Sequence, residues 1–230
     1  MKTGIARGQP HGWTLVELMV VSGAVAFTGL LIYSLLIGAL KLFGRNVAVN
    51  VSHQAARYAV DRITRDVHSA ISIPMLIDTN LKPVTTLTWS PGISCIVPSG
   101  PPLRINADAA AGQNVVQVAT NGFTPAVGQR LIVPTHLIEA DIAAVTVAGG
   151  NTYNLTLAAN LPVAVTVKQS GPDLNVVAQV GTVIAYVVQY PNPNRPFGEL
   201  WYYPDVNNAA THNVIARDIT SAAPFAYPTY

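Results

Sequence analysis

From Leu18 to Leu40 the chain reads LMVVSGAVAFTGLLIYSLLIGAL, 23 residues without a charge. About 20 such residues in a helix cross a 30 Å hydrocarbon core, so this run constrains the fold more than any other feature. A removable secretory signal fits poorly. The run is too long for a signal core, no A-x-A site closes it, and Lys41 and Arg45 follow as a stop-like flank. Lys2 and Arg7 on the other side nearly balance that flank, so the basic bias leaves orientation open.

Immediately before the run stands Glu17. An acidic side chain at the centre of a membrane helix costs roughly 2.5–3.5 kcal/mol, and such residues are functional by default, with a partner to be named. A carboxylate near a helix end can also snorkel to the headgroups, and that rival reading needs no partner.

Beyond Lys41 the polar content rises while the helical pattern continues to Pro74. Val47, Val51, Ala55, Ala59, Ile63, Val67 and Ala70 recur every three or four residues and draw one apolar stripe. Arg57 and Asp61, Asp61 and Arg65, and Arg62 and Asp66 stand four apart, a spacing that predicts ion pairs along the exposed face. Pro74 predicts a helix end at about Ile73. A helix of about 60 residues would be roughly 90 Å long, which suits a membrane span feeding an amphipathic stalk. His53 and His68 read as solvated face residues, too far apart to chelate one metal.

The remainder is different in kind. Only 10% of the 230 residues are charged, against about a quarter in soluble domains, and Gly and Pro number 17 each. Residues 1–74 carry seven basic and three acidic side chains, a net +4, and residues 75–230 a net −2. A mildly acidic β region gives no electrostatic footprint for nucleic acid. Candidate strands are VTTLTW, SCIVP, LRIN, NVVQVA, QRLIVP, AAVTVA, TYNLTLA, VAVTVK, LNVVAQV, TVIAYVVQY, GELWYY and NVIARDI, separated by turn signals. The middle, about Val115 to Val167, reads as a small inserted β-module, a barrel or sandwich.

Motifs for catalysis, phosphate cradles and dinucleotide binding are absent, so no catalytic residue, cofactor or metal ligand is assigned. Glu139 and Asp141 alternate on one strand face and read as solvated carboxylates, with calcium as the lesser alternative. Trp201, Tyr202 and Tyr203 suit alternating burial in a sheet better than a sugar- or partner-stacking platform. Cys95, the single cysteine, lies in an apolar run and reads as a buried structural thiol.

The stretch GWTLVELMVV resembles the processing site of type IV pilins and type II secretion pseudopilins: Gly, an aromatic, Thr, Leu, an aliphatic, Glu, Leu. Trp13 stands where Phe is commoner, and Ser34 where many pilins have a helix-breaking proline. The resemblance implies a leader of residues 1–12 cut between Gly12 and Trp13 by a prepilin peptidase, which also methylates the Trp13 amine. It implies that Glu17 pairs with the freed Trp13 amine of a neighbouring subunit. The helix of residues 13–43 would span the membrane and form a filament core, and the amphipathic helix of residues 44–73 would pack on an antiparallel sheet. Residues 74–230 would be an extracytoplasmic β-rich domain with the insert at about 115–167. The expected fold is thus α+β and pilin-like. The expected role is a minor pseudopilin or minor pilin in a bacterial inner membrane and then in a filament, and not an enzyme. Its expected partners are the peptidase, an inner-membrane assembly platform and other pilin subunits. A membrane-anchored surface module for glycan or DNA, using the helix only as a tether, is the alternative.

Overall fold

Helix α1 runs from Leu15 to Ser69 in the computed structural model, which describes residues 13–85, 89–167, 176–221 and 224–226. The chain divides into two compact units, residues 1–51 and residues 52–230.

In the first unit, α1 carries the apolar run. Every described residue from Trp13 to Val51 is exposed except the half-buried Ile37. The helix is long and apolar enough to cross a membrane. Its hydroxyls are satisfied within the helix. Ser22 Oγ donates to the Met19 carbonyl at 2.9 Å, Thr28 Oγ1 to Ala24 at 2.8 Å, and Ser34 Oγ to Leu31 at 2.8 Å. A hydroxyl that bonds back to its own helix can enter hydrocarbon without an unpaired polar group.

In the second unit, the end of α1 lies on a sheet. Ala59 is buried, and Ile63, Val67 and Ala70 pack with it against Ile184, Tyr186, Val188, Leu200 and Tyr202. The apolar stripe is therefore covered from Ala55 onward, while Val47 and Val51 remain exposed. The helix ends at Ser69, short of the expected Ile73. The Ile71 amide donates to the Ile96 carbonyl at 2.9 Å, and Ser72 Oγ accepts from the Ile96 amide at 3.1 Å. The neighbouring strand takes the backbone before Pro74 is reached.

The strands are β1 (Met75–Ile77), β2 (Trp89–Ser90), β3 (Gly92–Pro98), β4 (Leu103–Ile105), β5 (Val115–Ala119), β6 (Arg130–Val133), β7 (Ile138–Gly149), β8 (Thr152–Leu157), β9 (Val177–Gln189), β10 (Gly198–Tyr203), β11 (Asn213–Ile219) and β12 (Phe225–Ala226). The fold is α+β, and every strand pairing is antiparallel. The expected meander β9–β10–β11 is present, extended by β3 and β1 on the other side of β9.

The middle closes on itself. β9 pairs β4 through Leu103↔Ala178, and the path continues through β5, β8, β7 and β6 back to β9 through Leu131↔Val180. Six strands in a closed ring make a barrel, which leaves no free strand edge. Side chains fill it, with Ile105, Val116, Val118, Leu131 and Leu155 fully buried. The ring takes in β4 and the start of β9, beyond the expected window of 115–167. VAVTVK is not a strand in its described part. Val165 makes one bridge, to Ala109, and drops its side chain into the barrel core. Among the described residues of VTTLTW, Val84, Thr85 and Trp89, Trp89 alone enters a strand, and residues 86–88 lie outside the described set.

LNVVAQV and TVIAYVVQY, read as two strands, merge in β9, whose 13 residues serve both structures. Val177–Gly181 belong to the barrel, and Thr182–Gln189 to the sheet. Gly181 sits at the transition, where an added β-carbon would collide with Ile96 Cγ2 and the Val97 carbonyl oxygen. The turn-like glycine is thus a close approach of two strands. Gly181→Ala is expected to lower stability by about 1–3 kcal/mol, seen as a lower urea midpoint of the detergent-solubilised chain. An unchanged midpoint would contradict this packing.

Candidate functional site

Glu17 begins the helix together with Thr14. Glu17 Oε2 accepts the Thr14 amide at 2.9 Å and the Thr14 hydroxyl at 3.1 Å, while the Glu17 amide donates to Thr14 Oγ1 at 3.3 Å. This is a capping box, in which residues three apart satisfy each other's orphan groups at a helix start. The signal was legible as T-x-x-E in Thr14–Glu17, and the sequence reading passed over it. Both bonds to the carboxylate use Oε2, and among the described residues Oε1 accepts none. Trp13 is exposed one residue before the cap, whereas Gly12 and the leader lie outside the described residues.

A second polar cluster holds the helix to the sheet. The expected four-apart ion pairs are not formed. The ion pairs among the described residues are those of Arg130 with Glu139 and Asp141, and of Arg217 with Glu199. Instead, Arg62 lies 3.9 Å above the Tyr202 ring and donates to the Tyr58 hydroxyl at 3.3 Å. Asp66 accepts a short hydrogen bond from the Tyr186 hydroxyl, and the Tyr186 and Tyr202 rings lie 5.1 Å apart. On the helical wheel Asp66 and Arg62 flank the Ala59–Ile63–Val67 stripe on its Ala59 side, from where they reach Tyr186 and Tyr202.

Burial and the Asp66 carboxylate both raise the Tyr186 phenol above its ordinary range. Burial alone would lower the Arg62 guanidinium, yet hydrogen bonds to Tyr202 and Tyr58 outweigh it and the net direction is up. The Cys95 thiol is buried in the same core, and burial pushes it up to about 11. An inert structural thiol is what the sequence implied.

Glu139 and Asp141 are not simply solvated. Arg130, opposite Asp141 in the β6–β7 register, donates Nε to Asp141 Oδ1 and Nη1 to Glu139 Oε1, each at 2.7 Å. One guanidinium thus bridges both carboxylates across the ladder, a partner the strand-face reading did not supply. In β10, Tyr202 faces the helix, while Trp201 stacks on His212 with centroids 3.9 Å apart. Alternation within the sheet accounts for the aromatic run. His53 and His68 are both exposed.

No protein-family model matches this sequence, and no curated protein does so either.

The seam has a pH signature. A phenol raised in the folded state contributes stability that is present below its unfolded value, near 10, and lost as pH rises beyond it. Cys95 acts in the same direction between its usual value of 9.0 and about 11. Unfolding free energy is therefore expected to be level to about pH 9 and to fall above it. Tyr186→Phe should flatten the fall above pH 10 and cost about 1–3 kcal/mol at pH 7, since it removes a hydrogen bond to Asp66. Denaturant titrations at a series of pH values check both effects.

Proposed function

We propose that this chain is a membrane-anchored structural subunit of the type IV pilin and type II secretion pseudopilin kind, a minor component of its filament. Cleavage between Gly12 and Trp13 frees an amine one residue before the capping threonine. Glu17 of one subunit then pairs with the Trp13 amine of the next, which neutralises two groups that hydrocarbon would otherwise penalise. Attraction between opposite charges strengthens as the dielectric falls, so the pair also selects the axial register.

The observation that carries this reading is the exposure of the apolar helix from Trp13 to Val51, with an acid at its start. The capping box supports it. Thr14 holds one carboxylate oxygen at the very end of the helix and leaves the other for an outside donor. The unbroken helix through Ser34 is compatible with the departure from the usual proline. The chemistry is done to this subunit by a peptidase–methylase, and the helix meets an inner-membrane assembly platform. A large β region with its own barrel would crowd a densely packed shaft, which favours a minor role.

The second reading is a membrane-anchored surface binding module for a glycan or DNA, with the helix only as a tether. The two readings differ at Glu17. Assembly predicts that Glu17→Ala is processed but absent from filaments, whereas a tether tolerates the change. Mass spectrometry of the mature chain is expected to find Trp13 at the N-terminus with one added methyl group. A retained leader would overturn the assembly reading.

A further inference from the structure

Three described residues other than glycine have left-handed backbone: Leu81 at φ 64°, Leu137 at φ 52° and Asp218 at φ 61°. Asn and Asp tolerate this region because a short polar side chain bonds locally, and glycine because it lacks a β-carbon. Leucine has neither excuse. Leu137 ends the 3-10 turn Pro134–His136 at the tip of the β6–β7 hairpin, and its side chain is spent on nothing within the chain, being 93% exposed. Its amide donates to the Pro134 carbonyl at 3.3 Å and so closes the turn, which accounts for the backbone and leaves the exposed side chain without a role inside the chain.

Leu81 lines a cleft of about 120 Å³ beside β1, with Met75, Ile77, Pro83 and Val206 as its apolar wall. Ile73, 83% exposed, stands on its lip. Since a dry cavity of about 150 Å³ holds a benzene-sized group, this cleft has room for one branched aliphatic side chain. Ser94 and Cys95 of β3 lie in the lining too, as do Arg130 and Glu139, and these last two lie on the β6–β7 hairpin whose tip bears Leu137.

We propose that two copies of this chain meet through their β-regions, the Leu137 knob of each entering the cleft beside β1 of the other. Polar groups around the knob complement the rim of the cleft. Thr135 Oγ1 and His136 Nδ1 are 2.9 Å apart. With the hydroxyl donating to Nδ1, the proton sits on Nε2, which becomes an outward donor. On the rim, Glu139 Oε1 is held by Arg130, and among the described residues Oε2 accepts no hydrogen bond. His136 of one copy therefore meets Glu139 of the other, an imidazole donor on a carboxylate.

Knob and cleft share one hairpin, so a two-fold pairing lets each copy supply both halves. Two leucine plugs and their lips bury less than the roughly 1,200 Å² of a stable free dimer. Membrane-tethered copies need less, because a shared anchor raises their effective concentration. To that extent the contact rests on the membrane anchor of the proposed function and not on the Glu17 pair.

The test uses full-length chains in membranes with Cys95→Ser, because Cys95 is a free thiol lining the cleft, and with Leu137→Cys and Ile73→Cys versions carrying different tags, oxidised together. A disulfide-linked heterodimer is expected from this pair and not from Val147→Cys with Ile73→Cys, a control at another exposed valine. Adding Leu137→Asn to a His136→Cys and Ile73→Cys pair should reduce cross-linking about tenfold, as loss of an interface anchor does, without lowering the melting temperature. Absent cross-links, or equal yields with the Val147 control, would overturn the contact. In a Glu17→Gln background the cross-link should survive while filament assembly fails. Assembly that persists there would count against the Glu17 pair alone, and a cross-link lost while assembly persists would count against the knob and cleft alone.

Discussion

The first unit of this protein is governed by unsatisfied apolar surface. Leu18, Phe27, Leu30 and Leu35 each stand more than half exposed along α1. Transferring one such side chain from water to an apolar medium is worth about 1.5–3 kcal/mol. Summed along the helix, the penalty in water would exceed the whole stability of an ordinary domain, which is about 5–15 kcal/mol. An apolar environment must therefore cover this surface, and the helix is long and apolar enough for that environment to be a membrane. Within the apolar run the polar groups suit that condition: the hydroxyls of Ser22, Thr28 and Ser34 bond back to carbonyls, and the acid stands in the first turn. A capping box does more in lipid than in water, because the orphan amides at the helix start have no solvent to turn to.

The second unit solves a different problem, that of attaching a barrel to a sheet without leaving raw strand edges between them. β9 does so by belonging to both, and Gly181 lets it pass close to β3 at the crossing. The barrel and the helix-facing layer keep separate cores, yet one strand carries the backbone hydrogen bonds of each. At the C-terminal end, the two-residue pairing of β12 with β2, and Phe225 against the helix-facing core, hold the tail by packing. A chain with a single cysteine has no internal disulfide for that purpose.

Features set by residue pattern over many positions were legible before the structure. The apolar run, the stripe through Ala59, Ile63 and Val67, and the alternation in GELWYY and NVVQVA follow from periodicity alone. Features set by a partner distant in sequence were not. Nothing local to Arg62 or Asp66 says that tyrosines 186 and 202 will claim them in place of helix neighbours. Glycine at 181 looks like a turn until Ile96 is placed beside it. β1 and β12 are too short to show a period, and Val165 alternates like a strand residue but serves as a barrel plug. Around Glu17 the resemblance drew attention to intermolecular pairing, and the local Thr14 cap went unread although its spacing was plain.

The cap sharpens what must be true at the helix start. Glu17 is held by Thr14 through Oε2, so in the proposed assembly Oε1 is the atom that would lie within about 4 Å of a neighbouring subunit's Trp13 amine. Filaments assembled from a mixture of two batches, one with a 13C-labelled Glu17 carboxylate and the other with a 15N-labelled Trp13 amine, report this distance directly by solid-state NMR. A carbon–nitrogen dipolar coupling between the differently labelled copies, corresponding to a contact of about 4 Å, is the expected result. Assembled filaments that lack this coupling between copies would contradict the intermolecular pair.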